Sequence, residues 1–207
     1  VLSTHLMEVI NRNAAELLGR EDVARLIEHV QKTHPKAVTE LIPERLTVGE
    51  IQRVLQGLLR ENVPIRDLPV IIEALADGAA TSRDPQTLIE TTRRHVARAI
   101  TGPLTDDAGV LRAVSLAPVL EEELTRAFVP DAPDGSAEGL APNRTRDVVG
   151  RIATAAGGVG GQVALVVGPR LRPYAAALLR NQLPGVPVLS TLEIPPEVTL
   201  RAVATVS

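Results

Sequence analysis

The chain has 207 residues, a formal net charge of −3 and no cysteine. Disulfides, thiolate metal sites and cysteine nucleophiles are therefore excluded, and the acidic balance argues against a strong binder of phosphate backbones. With 44% hydrophobic residues and only Phe128 and Tyr174 as aromatics, the core must be built from Leu, Val, Ile and Ala.

The opening "VLSTHLMEVINRN" lacks the basic start and unbroken apolar run of a signal peptide, and no later apolar run approaches the roughly 20 residues of a membrane span. It begins without Met, directly in an amphipathic pattern, and reads as a piece of something longer. Over residues 3–18, Leu6, Ile10, Ala14 and Leu17 fall on one helical stripe, with Gly19 as the expected C-cap. "REDVARLIEHVQKT" starts the next helix with acids in its first turn, and "HPKAVTELIP" is a short helix closed before Pro43. "TVGE" at 47–50 has the form of a capping box, leading into the apolar face Val48, Ile51, Val54, Leu55, Leu58 and Leu59. In "RENVPIRDLPVIIEALAD", Pro64 keeps Val63 extended and Asp67 is placed to cap a helix that Gly78 ends. Arg66 beside it is a candidate for a salt bridge or a subunit contact. "RDPQTLIE" repeats the device, with Asp84 as N-cap and Pro85 at the first helical position.

After "TGPLTDD" the texture changes. "VLRAVSLAP" predicts a strand, "VLEEELTRAF" a helix, and "VPDAPDGSAEGLAP" a loop. A helix over "NRTRDVVGRIATAA", a strand in "QVALVV", a helix in "RLRPYAAALLRNQLP" and strands in "VPVLS" and "VTLRAVATV" complete the pattern. The expected fold class is α+β. A helix over 1–19 belongs to a preceding subdomain, an all-helical subdomain covers 20–102, and a small α/β subdomain with a short mixed sheet covers 103–207.

Few residues invite chemistry. The glycines of "GGVGG" at 157–161 follow a helix and precede a strand, the reverse of a dinucleotide fingerprint, and no Gly-Lys-Ser/Thr accompanies them. They fit a flexible connection better, although a small nucleotide-binding domain built on them remains the alternative from outside any docking role. His29 and His34 do not share a helix face and have no third ligand in view; His95 lies on an arginine-rich face. The consecutive acids of "EEELTR" point in different directions and predict a solvated face. Ser3, Ser115, Ser190 and Ser207 lie in no nucleophile-elbow context. No catalytic residue, metal site or cofactor is expected, and no nucleic-acid partner, since no aromatics stand among the basic residues to stack bases.

"THLMEVINRNAAELLGRE", "LTVGEIQRVLQGLLRENVPIRDLPVIIEALADGAATSRDP" and "RPYAAALLRNQLPGVPVLSTLEIPPEV" together resemble the carboxy-terminal cytoplasmic region of the export-gate family of type III protein secretion. The resemblance spans nearly the whole chain apart from the loop near 130–142, and the texture of "ELLGRE" and "THPK" sits nearer the flagellar than the virulence branch. It implies a non-enzymatic docking platform that assembles as a nonameric ring and receives export chaperone–substrate complexes and other export-apparatus proteins. The membrane would be reached only through an amino-terminal half outside this sequence. Within the family a threonine of the "THL" segment contributes to a chaperone-binding cleft, which carries over here to Thr4; a helix N-cap is its plainer role. Gly78 departs from the aromatic that many members carry in "ALADYAP"-like segments, which puts in doubt any contact of a bulky side chain there.

Overall fold

The computed structural model describes residues 13–130, 139–159 and 161–207. Two compact units divide the chain, Val1–Ile100 and Thr101–Ser207. Most of the helix expected over 1–19 lies outside the described residues; residues 13–17 are helical.

The first unit is helical throughout: α1 (Arg20–Thr33), α2 (Pro35–Leu41), α3 (Val48–Arg60), α4 (Leu68–Ala79), α5 (Pro85–His95) and the short α6 (Ala97–Thr101). Gly19 is not a C-cap. It takes the extended N-cap conformation of α1, φ −80° and ψ 168°, and its N–H donates to Asp22 Oδ2 at 2.9 Å. At α3 the capping box closes in full. The Thr47 N–H and Oγ1 both donate to Glu50 Oε2 at 2.7 Å, and the Glu50 N–H donates back to Thr47 Oγ1 at 3.3 Å. Asp84 caps α5 through the Thr87 N–H at 2.8 Å, with Pro85 at the first position.

The end of α3 sets the turn that precedes Pro64. Asn62 adopts φ 56°, the left-handed conformation that Asn tolerates better than other side chains. Its N–H donates to Leu59 O, and the Val63 N–H donates to Leu58 O, both at 3.0 Å. This is a Schellman closure, sealed by Val63 packing in the same core as Leu58.

Leu41, Leu46, Ile51, Val54, Leu58, Ile71, Leu75 and Leu88 are all completely buried in this aliphatic core. Two glycines set how close its helices come. A Cβ on Gly57 of α3 would overlap Ile89 Cδ1 of α5, and one on Gly78 of α4 would sit 3.0 Å from Leu88 Cδ2 and 3.4 Å from Thr91 Cγ2. Gly78 therefore does not end α4, as the sequence suggests; it lies inside the helix, buried where α5 approaches. Thr92 is completely buried on α5, and its Oγ1 has no hydrogen-bond partner.

The second unit carries a four-stranded sheet in the order β3-β2-β1-β4, formed by β1 (Val110–Leu116), β2 (Ala164–Val167), β3 (Val188–Ser190) and β4 (Thr199–Val206). All three pairings are parallel, so the sheet is not mixed as expected. Outside the named strands one antiparallel bridge joins Thr105 to Leu111. The physical reason lies in the connections, because parallel neighbours need long crossovers. The crossovers are α7 (Pro118–Phe128) with α8 (Pro142–Gly157), then α9 (Arg172–Leu179). Leu120 and Leu124 of α7, Val148 and Ile152 of α8, and Ala175 and Leu179 of α9 pack with Val114, Leu116, Leu165 and Val167 of the sheet. Leu111, Ala113, Ala164, Val166 and Leu189, which alternate with that set along the strands, are buried too.

Candidate interaction surface

The residues singled out in the sequence do not converge on a catalytic centre. Thr4 lies outside the described residues. Arg66 and Asp67 are both exposed on the turn before α4, and among the described residues neither side chain has a hydrogen-bond or ion-pair partner. Asp67 does hold the N-cap position, with φ −90° and ψ 63°, but no first-turn N–H reaches its carboxylate. Its main-chain oxygen accepts the Ile71 N–H at 3.2 Å, the ordinary first bond of the helix. The pair stands at a rigid, proline-flanked corner with both charges directed to solvent.

His29, His34 and His95 are exposed, and among the described residues no group of three or more His, Asp or Glu is placed to hold a metal. His34 Nδ1 lies 2.9 Å from Thr33 Oγ1, and His95 Nδ1 lies 2.9 Å from Thr91 O. Ser190 is buried at the end of β3, where its N–H donates to Glu193 Oε2 at 2.8 Å. Ser115 Oγ meets Thr205 Oγ1 at 3.1 Å across β1 and β4.

The strand order 3-2-1-4 is the one in which doubly wound sheets bind nucleotides, outside the carboxyl ends of the strands. Those ends are already committed. After β1 the turn is Leu116-Ala117-Pro118, where proline withholds the amide donor that a phosphate would need. After β2 the free amide is that of Gly168, and it donates to Glu121 Oε1 at 2.6 Å. A carboxylate from α7 thus sits where a phosphate would have to go. The glycine segment leads into β2 from α8 and so lies at the opposite, amino end of the strands.

The acids of α7 are not the solvated face that their spacing predicts. Glu121 ties α7 to the β2–α9 turn, and Glu123 receives a bidentate pair from Arg144 of α8, Nε to Oε1 at 2.8 Å and NH2 to Oε2 at 2.7 Å. Arg144 NH1 also reaches Asp147 Oδ2 at 2.7 Å, and Arg151 Nε reaches Asp147 Oδ1 at 3.1 Å. The hydrogen bonds from Arg144 hold the Glu123 carboxyl below its ordinary range. Only Glu122 stays on the solvent side, in an exposed pair with Arg126 at 3.3 Å. Residues 144, 147 and 151 stand at i, i+3 and i+7 on one helix face, a purely local spacing, whereas the link from Glu123 to Arg144 joins separate helices and leaves no local signal.

What the second unit does offer is surface. An open groove of about 570 Å³ runs between α8 and the end of β4, lined among others by Arg146, Gly150, Arg151, Thr154, Thr205 and Val206. β4 itself is exposed over most of its length. In the first unit Arg93, almost fully buried on α5, reaches Glu61 Oε2 at 2.9 Å. That pair was missed in the sequence because the two residues are 32 positions apart.

These features define a scaffold: an aliphatic helical unit and a parallel α/β unit whose polar groups tie elements together or face solvent. Residues 1–199 match the FHIPEP family, and the chain belongs to that family. The flagellar biosynthesis protein FlhA of Bacillus subtilis (strain 168) is 34% identical over 209 residues, covering 100% of this chain and 31% of that protein. Among solved structures, the nonameric SctV-C of EPEC superposes with a TM-score of 0.87 at 26% identity, covering 99% of this chain and 62% of that one. The CdsV chain of the Chlamydia pneumoniae CdsV and CdsO complex gives 0.88 at 24% identity over 99% of this chain and 59% of that one, a likeness of fold alone. The chain thus spans under a third of the FlhA length, and in sequence it resembles the flagellar branch. Among the described residues no helix is long and apolar enough to cross a membrane.

Proposed function

We propose that the chain is part of the cytoplasmic portion of a flagellar-type export gate and serves protein export as a docking platform, without making or breaking bonds itself. The observation that carries this is the family match across residues 1–199, supported by the fold shared with SctV-C, which is a nonamer. By the same likeness, copies of the complete protein assemble into a ring at the cytoplasmic face of the inner membrane, and further export components dock on it, as CdsO does on CdsV. The Glu121 carboxylate on the Gly168 N–H and the proline after β1 weigh against the nucleotide-binding alternative.

Chaperone–cargo complexes are the proposed ligands, with Thr4 at the rim of their cleft. The test uses the complete cytoplasmic half of the natural protein, immobilised and challenged with purified chaperone–cargo pairs. Thr4→Met should reduce capture at least ten-fold while leaving ring assembly intact. Undiminished capture would remove Thr4 from the site, and absence of capture by the unsubstituted protein would overturn the docking role.

A further inference from the structure

We propose that the outer edge of β4, with the arginines beside it, is a strand-addition site for an acidic, extended segment of a protein partner. β4 ends the sheet and pairs only with β1, so one row of its main-chain groups has no strand beside it. The Thr199 N–H donates to Gly109 O at 3.0 Å. The parallel ladder alternates, so Arg201 also turns toward β1 while Leu200 and Ala202 turn their N–H and C=O groups outward. Thr199 to Ala202 are exposed, Leu200 to 43%, whereas β3 at the other edge is three residues long and buried. Edge strands are ordinarily blunted by proline, lysine or a bulge. Here the stretch before the irregularity at Val203 has no such guard except Arg201.

The charges beside the edge say what would pair with it. Arg201 pairs with Arg112 in the β1–β4 register, but the Arg112 guanidinium lies against Gly161 ahead of β2, on the far side of β1, so Arg201 is the positive charge at the outer edge. Arg201 and Arg146 are both exposed, and neither is bound to a carboxylate among the described residues. Asp147, the one acid lining the groove, has both oxygens taken by Arg144 and Arg151. A basic flank has therefore formed in a chain whose net charge is −3. With the extra residue at Val203, Arg201 and Thr205 pair with Arg112 and Ser115, three steps apart on β1, about 10 Å along the strand. An added strand of six to eight residues could then bond Leu200 and Ala202 through its backbone and set acidic side chains against Arg201 and, across Thr205, Arg146. Such strand addition takes affinity from the backbone and specificity from alternate side chains. A nucleic acid fits less well, because no aromatic lines the groove.

The test is fluorescence anisotropy on the full chain with a labelled eight-residue peptide of alternating Glu and Val. Controls are its Lys–Val counterpart and a Glu–Val peptide methylated on every amide nitrogen. The expected result is saturable, salt-sensitive binding of the Glu–Val peptide, at least ten-fold weaker binding of the Lys–Val peptide, and none of the methylated one. Arg201→Glu and Arg146→Glu, both at exposed positions, should each weaken binding at least five-fold with unchanged circular dichroism. The proposal is overturned by no saturable binding, by equal binding of the methylated peptide, or by indifference to both substitutions. Tighter binding of a duplex RNA or of phosphatidylserine vesicles than of the peptide would overturn it as well.

Discussion

Substituting Gly57 by alanine asks how tightly α5 is seated. On an isolated helix the change should stabilise by about 1 kcal/mol, since glycine is the poorer helix former. In the folded chain the added methyl would overlap Ile89 Cδ1 and lie 3.1 Å from Cγ1, with Gly57 buried. Ile89 is itself only 7% exposed, and Leu88 beside it packs against Gly78 of the other helix, so α5 has little room to slide away. Overpacking of this kind costs about 1–3 kcal/mol. Set against the propensity gain, the net effect should be a loss of roughly 1 kcal/mol, with zero and about 2 as its bounds. Ile89→Val removes Cδ1 and should cost about 0.5–1.5 kcal/mol alone, through the cavity it leaves. In the Ile89→Val background Gly57→Ala fills part of that space and should be neutral or stabilising. The double-mutant cycle, measured by urea denaturation of the full chain, should then give a favourable coupling of about 1 kcal/mol or more. Stabilisation by Gly57→Ala in the unsubstituted protein, or additivity within about 0.5 kcal/mol, would show that the glycine is not there to admit Ile89.

Glu50 and Glu123 carry carboxyls held below their ordinary range, Glu50 first by the Thr47 N–H and Glu123 first by Arg144. Their stabilising contribution is complete above the unfolded carboxylate range near 4.5 and is lost as pH falls through the lowered folded values. Denaturation at stepped pH should therefore show stability declining below that range, less steeply in Glu50→Gln/Glu123→Gln; an unchanged slope would contradict the assignment. Thr92→Val removes a buried hydroxyl that has no partner and should stabilise the chain by roughly 1 kcal/mol in the same denaturation assay. A loss of more than about 1 kcal/mol would mean that the hydroxyl is bonded after all.

The parts of this fold that could be read in advance are those whose cause is local. The α3 capping box needs only Thr47 and Glu50, three residues apart, and the α5 cap needs only Asp84 and the Thr87 N–H. Both are present as their spacing implies. Asp67 failed the same test because its ψ of 63° departs from the extended backbone seen at Thr47 and Asp84, and no first-turn N–H meets its carboxylate. Pro64 and Pro69 flank this corner, and Pro69 in the first turn has no N–H to cap. Gly78 failed for the opposite reason: a glycine near a helix end suggests termination, yet this one serves the approach of a helix that begins seven residues later. Parallel pairing, the Glu123–Arg144 fork and the buried Arg93 likewise depend on residues far apart in the chain.

That division bears on where function can lie in such a molecule. Its long-range polar contacts, Glu121 on Gly168 and Arg144 on Glu123, spend reactive-looking groups on holding α7 and α8 in place. Local rules identified the acids of α7 as solvent-facing, and tertiary contacts tied two of the three, Glu121 and Glu123, to other elements. Among the exposed charges with no partner among the described residues are three arginines at edges and corners: Arg66 at the proline-flanked turn, Arg146 on the groove and Arg201 on the open strand. An enzyme concentrates its unpaired polar groups in a cleft, where burial sharpens their chemistry. Here they stand apart on exposed, rigidly supported backbone. Each of these guanidiniums is exposed, where it can meet a partner's carboxylate as the proposed docking role requires.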